Sequence, residues 1–342
     1  MHRAYRASGL VAVLLLWNVL PAAAAGQSVD ARFERRAAPL RQDEDPGSSV
    51  ALVAVPWRTI PFTIRTLSAD ERFELRDGNV TTAWPPTRIH DRHGVPMRII
   101  NGYRRYHPLG LTRLGLKYLS RYRGTKDPLF LDRAERIAAG LQRIGVHARN
   151  GIWFPYGFTF PARSSAVVNR PPWYSGYAQG FALSFFVRLW EQTAADRYRA
   201  LADQTYNTLR NLGRGPKPWV SWIDRRGYVW IDEYPEQLDQ TFNGHVFALF
   251  GLHDYFEMTK RRDLYSPQRH ASVHALIRGG ITTIRAYAAT FRNPGAVSDY
   301  CLAHHVRNRA YHPIHVRQLR HLAVITGDRW FARMANLFDA DA

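Results

Sequence analysis

From Pro108 to the C-terminus, apolar residues recur at helical spacing in eight stretches, taken in pairs around short turns that contain threonine and aspartate. Thr125/Asp127, Thr193/Asp196, Thr259/Asp263 and Thr326/Asp328 mark these turns, and Phe130, Tyr198, Tyr265 and Phe331 follow them. The threonines are 66–68 residues apart. Each Asp is a candidate N-cap for the next helix, and a helix–turn–helix unit repeated at a fixed period predicts stacked helical hairpins. Helices are expected over 109–122, 128–146, 176–192, 196–212, 243–259, 267–288, 311–326 and 329–339. In the seventh, Ile314, Leu319, Leu322 and Ile325 form the apolar stripe. The longer segments 148–175, 213–242 and 289–310 each join one hairpin to the next, so they should emerge at one end. The predicted fold class is mainly α: an (α/α)4 barrel of four helical hairpins with a loop-lined cleft. An open solenoid is the alternative.

Upstream the pattern changes. Residues 1–25 read as a signal peptide, with Arg3 and Arg6, an apolar centre over Leu10–Leu20 and small residues at Ala22–Ala25. The chain is therefore expected to be secreted or periplasmic. Residues 26–48 are charged and poor in apolar residues, as in a flexible arm. Over 49–103, short β-branched runs at Ala51–Val55, Ile60–Ile64 and Met97–Ile100 predict a small β-hairpin region. The catalytic barrel domain would then span 104–342.

Composition narrows the chemistry. Cys301 is the only cysteine, so no intrachain disulfide forms and cysteine-rich zinc sites are excluded. The net charge is +19, and of 47 basic residues only Lys117, Lys126, Lys217 and Lys260 are lysines. Guanidinium groups pair with planar carboxylates through two parallel hydrogen bonds, which favours a uronic-acid polymer as partner. A GC-rich genome would also raise the arginine share, but it does not account for the charge. No nucleic-acid-binding motif is present.

The segment Trp230–Leu252 sets Asp232, Glu233 and Tyr234 together before Pro235 and starts an apolar helix near Asn243. A carboxylate beside a phenol at a helix mouth suits proton transfer on a polar substrate. The loop over 148–175 carries Trp153, Phe154, Tyr156, Phe158, Phe160, Trp173 and Tyr174, with Tyr177 and Gln179 just beyond. These could stack on sugar rings or bind hydroxyls, or they could equally pack the loop. The third loop holds Tyr300, Arg307, Arg309, Tyr311, His312 and His315. The two histidines could share a helix face and hold zinc, but no third ligand has suitable spacing, so neither a metal nor a cofactor is assigned.

These blocks resemble the glucuronyl C5-epimerases. Trp230, Glu233, Tyr234, Pro235, Asn243 and Gly244 match that family's Trp–Tyr–Glu–Glu–Tyr–Pro signature and Asn–Gly helix start. Trp173, Tyr174, Ser175, Ala178, Gln179 and Gly180 match a second block, and Tyr300, Leu302, Tyr311, His312, His315, Gln318 and Leu319 a third. Gly94, Pro96, Gly102, Tyr106, Pro108, Gly115 and Leu116 fit the entry into the helical domain. The likeness runs from about residue 94 to 335. Two positions depart: Cys301 stands where the family commonly has Asp, and Ala303 where animal members have Arg.

The resemblance implies inversion of C5 of D-glucuronate to L-iduronate in a heparosan-like polysaccharide. Glu233 would be the base on one face and Tyr311 would act on the other, with Tyr234 and Tyr300 holding or relaying protons. Trp153, Trp173, Tyr174, Gln179, Asn243, His312 and His315 would bind substrate, and Arg307 or Arg309 would neutralise its carboxylate in place of the Arg lost at Ala303. The implied partner is an acidic, glycosaminoglycan-like polysaccharide, with no nucleic acid and no membrane span after signal removal; a homodimer stays open. A polysaccharide lyase shares the first proton abstraction. A glycoside hydrolase would need two carboxylates, with Asp232, Glu233 and Asp299 as candidates. A non-catalytic glycan-binding module would need the aromatics without the Glu–Tyr cluster.

Overall fold

The computed structural model describes residues 54–74, 89–161, 168–213 and 215–342. The signal and arm readings, and residues 51–53 of the first β-branched run, lie outside them. Among the described residues there are eight α-helices: α1 (Pro108–Thr125), α2 (Pro128–Ile144), α3 (Gly176–Thr193), α4 (Asp196–Arg210), α5 (Phe242–Met258), α6 (Pro267–Phe291), α7 (His312–Thr326) and α8 (Arg329–Asp339). They form four hairpins with the expected boundaries to within a few residues. Helices α1, α3, α5 and α7 pack neighbour to neighbour as the inner row, and α2, α4, α6 and α8 back them.

The sequence explains which helices go inside. Nearly every residue of α5 is buried, as its unbroken FNGHVFALFGL run requires, because a helix apolar on all sides must be enclosed. A Cβ at Gly251 would sit 2.0 Å from the Gly180 carbonyl oxygen, and one at Gly180 would sit 2.4 Å from the Ala248 Cα. The two glycines therefore let α3 and α5 approach backbone to backbone.

The turn chemistry follows the Thr/Asp pattern in part. Asp127 and Asp328 are N-caps, accepting from the Leu129 and Trp330 amides at 3.0 and 2.8 Å. Asp196 is instead the first helical residue, and Ser266 rather than Asp263 caps α6. The threonines do the more regular work: the Thr125, Thr193 and Thr326 hydroxyls accept from the amide two residues on.

The strands are short. β1 (Ile89–His90), β2 (Pro96–Ile100) and β3 (Tyr103–Arg105) make an antiparallel sheet, which contains the expected Met97–Ile100 strand. Ile60–Ile64 is not a strand. Its backbone is tied to α6, where the Thr282 hydroxyl accepts from the Ile60 amide and Arg278 donates to the Ile60 carbonyl, and Pro61 has no N–H for a ladder. Beyond it, residues 65–74 span from α7 to α1. The Arg65 amide and guanidinium donate to the Ile325 and Val324 carbonyls, and Arg123 of α1 donates to the Ala69 carbonyl. Arg188 of α3 donates to the Phe73 carbonyl and pairs with Glu74 at 2.9 Å. This segment bridges the first and last inner helices and is sealed by a buried ion group, in which Asp254 of α5 pairs with Arg188 at 2.8 Å and also accepts from Ser184.

The inter-hairpin loops are stiffened by β4 (Val146–Ala148) with β5 (Gly151–Trp153), β6 (Phe160–Pro161) with β7 (Val168–Asn169), and β8 (Ser221–Ile223) with β9 (Val229–Ile231). They are also tied to each other. The Gly176 amide donates to the Asp232 carbonyl, and the Phe242 amide donates to the Tyr300 carbonyl.

Candidate active site

Glu233 follows β9 and is almost fully buried against the start of α5. A Cβ at Gly244 would lie 2.7 Å from the Glu233 Cβ and 2.9 Å from its Oε2, so only glycine lets the carboxylate rest there. Negative charge is favoured at a helix N-terminus. The Tyr300 hydroxyl donates to Glu233 Oε2 at 2.6 Å, and the Asn243 amide reaches the same oxygen at 3.4 Å. The Tyr311 ring stands edge-on to Tyr300 with centroids 4.6 Å apart. Tyr300 is buried, whereas Tyr311, which leads into α7, is half-buried. Loops that are separate in the chain thus bring one carboxylate and two phenols together.

Around this group lies an aromatic wall. Tyr234 stacks on Phe160 with centroids 5.6 Å apart and tilts toward Trp173 at 5.9 Å. Tyr156 stacks on Trp173 at 3.9 Å. Tyr177 of α3 stacks on Phe247 at 4.8 Å. Burial holds the Tyr177 phenol well above its ordinary range. Arg113 of α1 pulls it down, and the charges of Glu233 and Tyr311 push it up. Burial likewise raises the Tyr156 phenol, with Glu233 acting in the same direction and Arg98 against it. Both phenols therefore stay protonated at neutral pH, and the Tyr156 hydroxyl accepts from the Leu109 amide at 3.4 Å.

Several candidates turn out to hold the protein together. Trp153 is fully enclosed, with its indole donating to the Ala148 carbonyl at 2.8 Å. Gln179 is also enclosed. Its oxygen accepts from the Phe154 amide, and its nitrogen donates to the Ile152 carbonyl and the Thr208 hydroxyl. His312 bonds Ser298 and the Phe338 carbonyl, and His315 bonds the Ser298 hydroxyl. Burial, then neighbouring His312, lowers His315 to about 3, so it is neutral. These four side chains are enclosed and make their hydrogen bonds to protein groups, His315 through Nδ1 alone. Trp173 and Tyr174 are nearly buried, Trp173 with its face against Tyr156 and Tyr174 edge-on to Trp153 at 5.6 Å, so neither presents an open stacking platform. Asn243 is a support for Glu233.

The cations are also differently placed. Arg307 is directed to Asn293 at 3.3 Å and Asp299 at 3.8 Å, and Arg309 is exposed on the turn before α7. Arg113 bears on the Tyr177 phenol and Arg98 on the Tyr156 phenol. In the sequence, the signal was a charged residue at Arg113 interrupting the apolar face of an inner helix. It lies 120 residues before Glu233 and belongs to no motif.

Asp232 and Asp299 are committed elsewhere. Asp232 is fully enclosed and accepts from the Trp222 indole and the Gln240 amide. Burial, then the nearby Asp239 charge, pushes its carboxyl up to about 7. Asp299 accepts from Asn293 at 2.7 Å and pairs with His305 at 2.8 Å.

A family model for the D-glucuronyl C5-epimerase C-terminus matches residues 148–340. Among solved structures, the chain is similar to cellobiose 2-epimerase from Bacillus thermoamylovorans, at 13% identity over 69% of this chain and 60% of that one, with a TM-score of 0.46. It is similar to cellobiose 2-epimerase from Spirochaeta thermophila at 14% identity, over 76% of this chain and 61% of that one, with a TM-score of 0.46. The unsaturated glucuronyl hydrolase from Streptococcus agalactiae aligns at 13% identity, over 68% of this chain and 57% of that one, with a TM-score of 0.43. The chain spans about three fifths of the length of these structures.

Proposed function

The chain belongs to the D-glucuronyl C5-epimerase family, and from that premise we propose that it inverts C5 of D-glucuronate to L-iduronate in a heparosan-like acidic polysaccharide. The observation that carries the reading is the 2.6 Å bond from Tyr300 to Glu233, with Tyr311 edge-on beside it. Epimerisation removes the weakly acidic C5 proton and returns one on the opposite face, so two proton-carrying groups must flank the ring. Glu233 takes the proton from one face. Tyr311 gives its hydroxyl proton to the other. Tyr300, in contact with both, holds the Glu233 oxygen and lets the pair regain its starting protonation. Between the two transfers the substrate carboxylate carries enolate-like charge, which Arg113 and Arg98, whose charges act on Tyr177 and Tyr156, would offset.

The second carboxylate that a glycoside hydrolase needs is not offered by Asp232 or Asp299, whose oxygens are bonded within the protein. In this reading the enzyme is exported and meets its polymer outside the cytoplasm. Among the described residues, no helix is long and apolar enough to cross a membrane.

The test is incubation with heparosan in D2O. Proton NMR should show deuterium entering C5 of glucuronate and iduronate signals appearing. Growth of unsaturated-uronate absorbance with chain shortening would instead establish a lyase. Affinity for the polymer should also fall as salt rises, because exposed contacts from a chain of net charge +19 are screened over about 8 Å at physiological ionic strength. A binding isotherm indifferent to salt would remove the electrostatic argument.

A further inference from the structure

Behind Tyr300, the same two loops carry a cluster of different chemistry. Asp239 follows the short 3-10 turn Pro235–Gln237, Cys301 follows Tyr300, and His304 lies three residues further on. Asp239 Oδ1 and His304 Nδ1 are 2.6 Å apart, Cys301 Sγ and His304 Nδ1 are 3.8 Å apart, and one donor atom from each residue lies within 4.8 Å of the others. The backbone holds them there: Thr241 bridges Cys301, and the Ala303 and Leu302 amides point to the Asp239 and Gln240 carbonyls. Asp239 and Cys301 are buried, and the His304 ring is 20% exposed, which opens a way in from solvent. The only ion pair of Asp239 among the described residues is with His304, and Asp239 sits close enough to the buried Asp232 to repel it.

We propose that Asp239, Cys301 and His304 form a binding site for a divalent transition-metal cation of the zinc type. One carboxylate oxygen, one sulfur and one imidazole nitrogen make a mixed set that suits zinc and its neighbours, whereas calcium and magnesium call for six or more oxygens. Ligand atoms at about 2.0–2.3 Å from a tetrahedral ion lie roughly 3.3–3.8 Å apart. The Cys301–His304 separation already fits this range, and the Asp239–His304 pair has to open by about 1 Å. On binding, the thiol proton leaves to solvent, the thiolate and carboxylate offset the two charges of the ion, and His304 ligates through Nδ1 with its proton on Nε2. No oxidation state changes. Water fills the fourth position. The ion would join the loop that carries Glu233 to the loop that carries Tyr300, so its role is to position Tyr300.

Cobalt titration of the chelator-stripped protein tests this without any assay of activity. Cys301 is the only thiol, so a thiolate-to-cobalt charge-transfer band reports on this site alone. One cobalt ion per chain should produce the band, zinc should abolish it by displacement, and zinc should raise the melting temperature. His304→Ala, which alters a partly exposed ring, should keep its fold and weaken cobalt binding by more than about tenfold, the range seen when even the groups behind metal ligands are removed. Cys301→Ser should lose both the band and the thermal shift. Absence of the band at stoichiometric cobalt, or equal cobalt affinity in wild type and His304→Ala, would overturn the proposal.

Discussion

Glu233→Gln is expected to lose C5 proton exchange by about 100- to 10,000-fold, the usual contribution of a general acid–base group. The amide keeps the shape that fits against Gly244 and can still accept from the Tyr300 hydroxyl, so the fold should be unchanged. What disappears is the group able to take a proton. Tyr311→Phe is expected to be equally inactive, because its half-buried ring still packs against Tyr300 and only the hydroxyl is gone. Tyr300→Phe should add a stability cost of about 1–3 kcal/mol, since the buried Glu233 loses its closest donor. Deuterium uptake by heparosan, measured beside the melting temperature, separates these outcomes. If Tyr311→Phe keeps more than about a tenth of wild-type exchange, Tyr311 is not a principal proton carrier and Tyr300 takes its place.

Arg188→Ala is expected to destabilise the protein by about 3–5 kcal/mol, because removing one partner of a buried pair leaves the other charge uncompensated. Asp254 is buried and keeps an ionised carboxyl because Arg188 and Arg72 outweigh the cost of its burial, holding its pKa below the usual carboxylate value. The sign follows from that depression. The contribution is complete above the unfolded value of about 3.9 and fades as pH drops through the lower folded value. Urea unfolding at neutral pH should therefore show the full deficit. In the variant, Asp254 loses its main counter-charge and its pKa rises, so the deficit should shrink as the carboxyl protonates in acid. A loss below about 1 kcal/mol at neutral pH would mean that the ion group does not secure the 65–74 segment.

Where the deciding interactions are local, the chain can be read directly. The 3.6-residue period and the Thr/Asp turns reveal eight helices and their pairing, while the packing shows which of them lie inside. The Trp230–Pro235 block and the Tyr300 and Tyr311 positions likewise flag the residues that converge. Tertiary structure decided what local pattern does not encode. The β-branched run at Ile60–Ile64 looks like a strand, yet its hydrogen bonds go to α6 side chains more than 200 residues away. Gln179, His312 and His315 are polar residues near the loops, and nothing in their spacing shows that Gln179 and His312 are bonded to protein groups or that His315 is held through Nδ1 by Ser298. Arg113 of α1 bears on Tyr177 of α3 because these two inner helices pack side by side. Asp239 likewise meets Cys301 and His304 across more than 60 residues. Helix formation is governed by contacts three and four residues apart, whereas the side chains that share a cleft are chosen by the packing of whole helices.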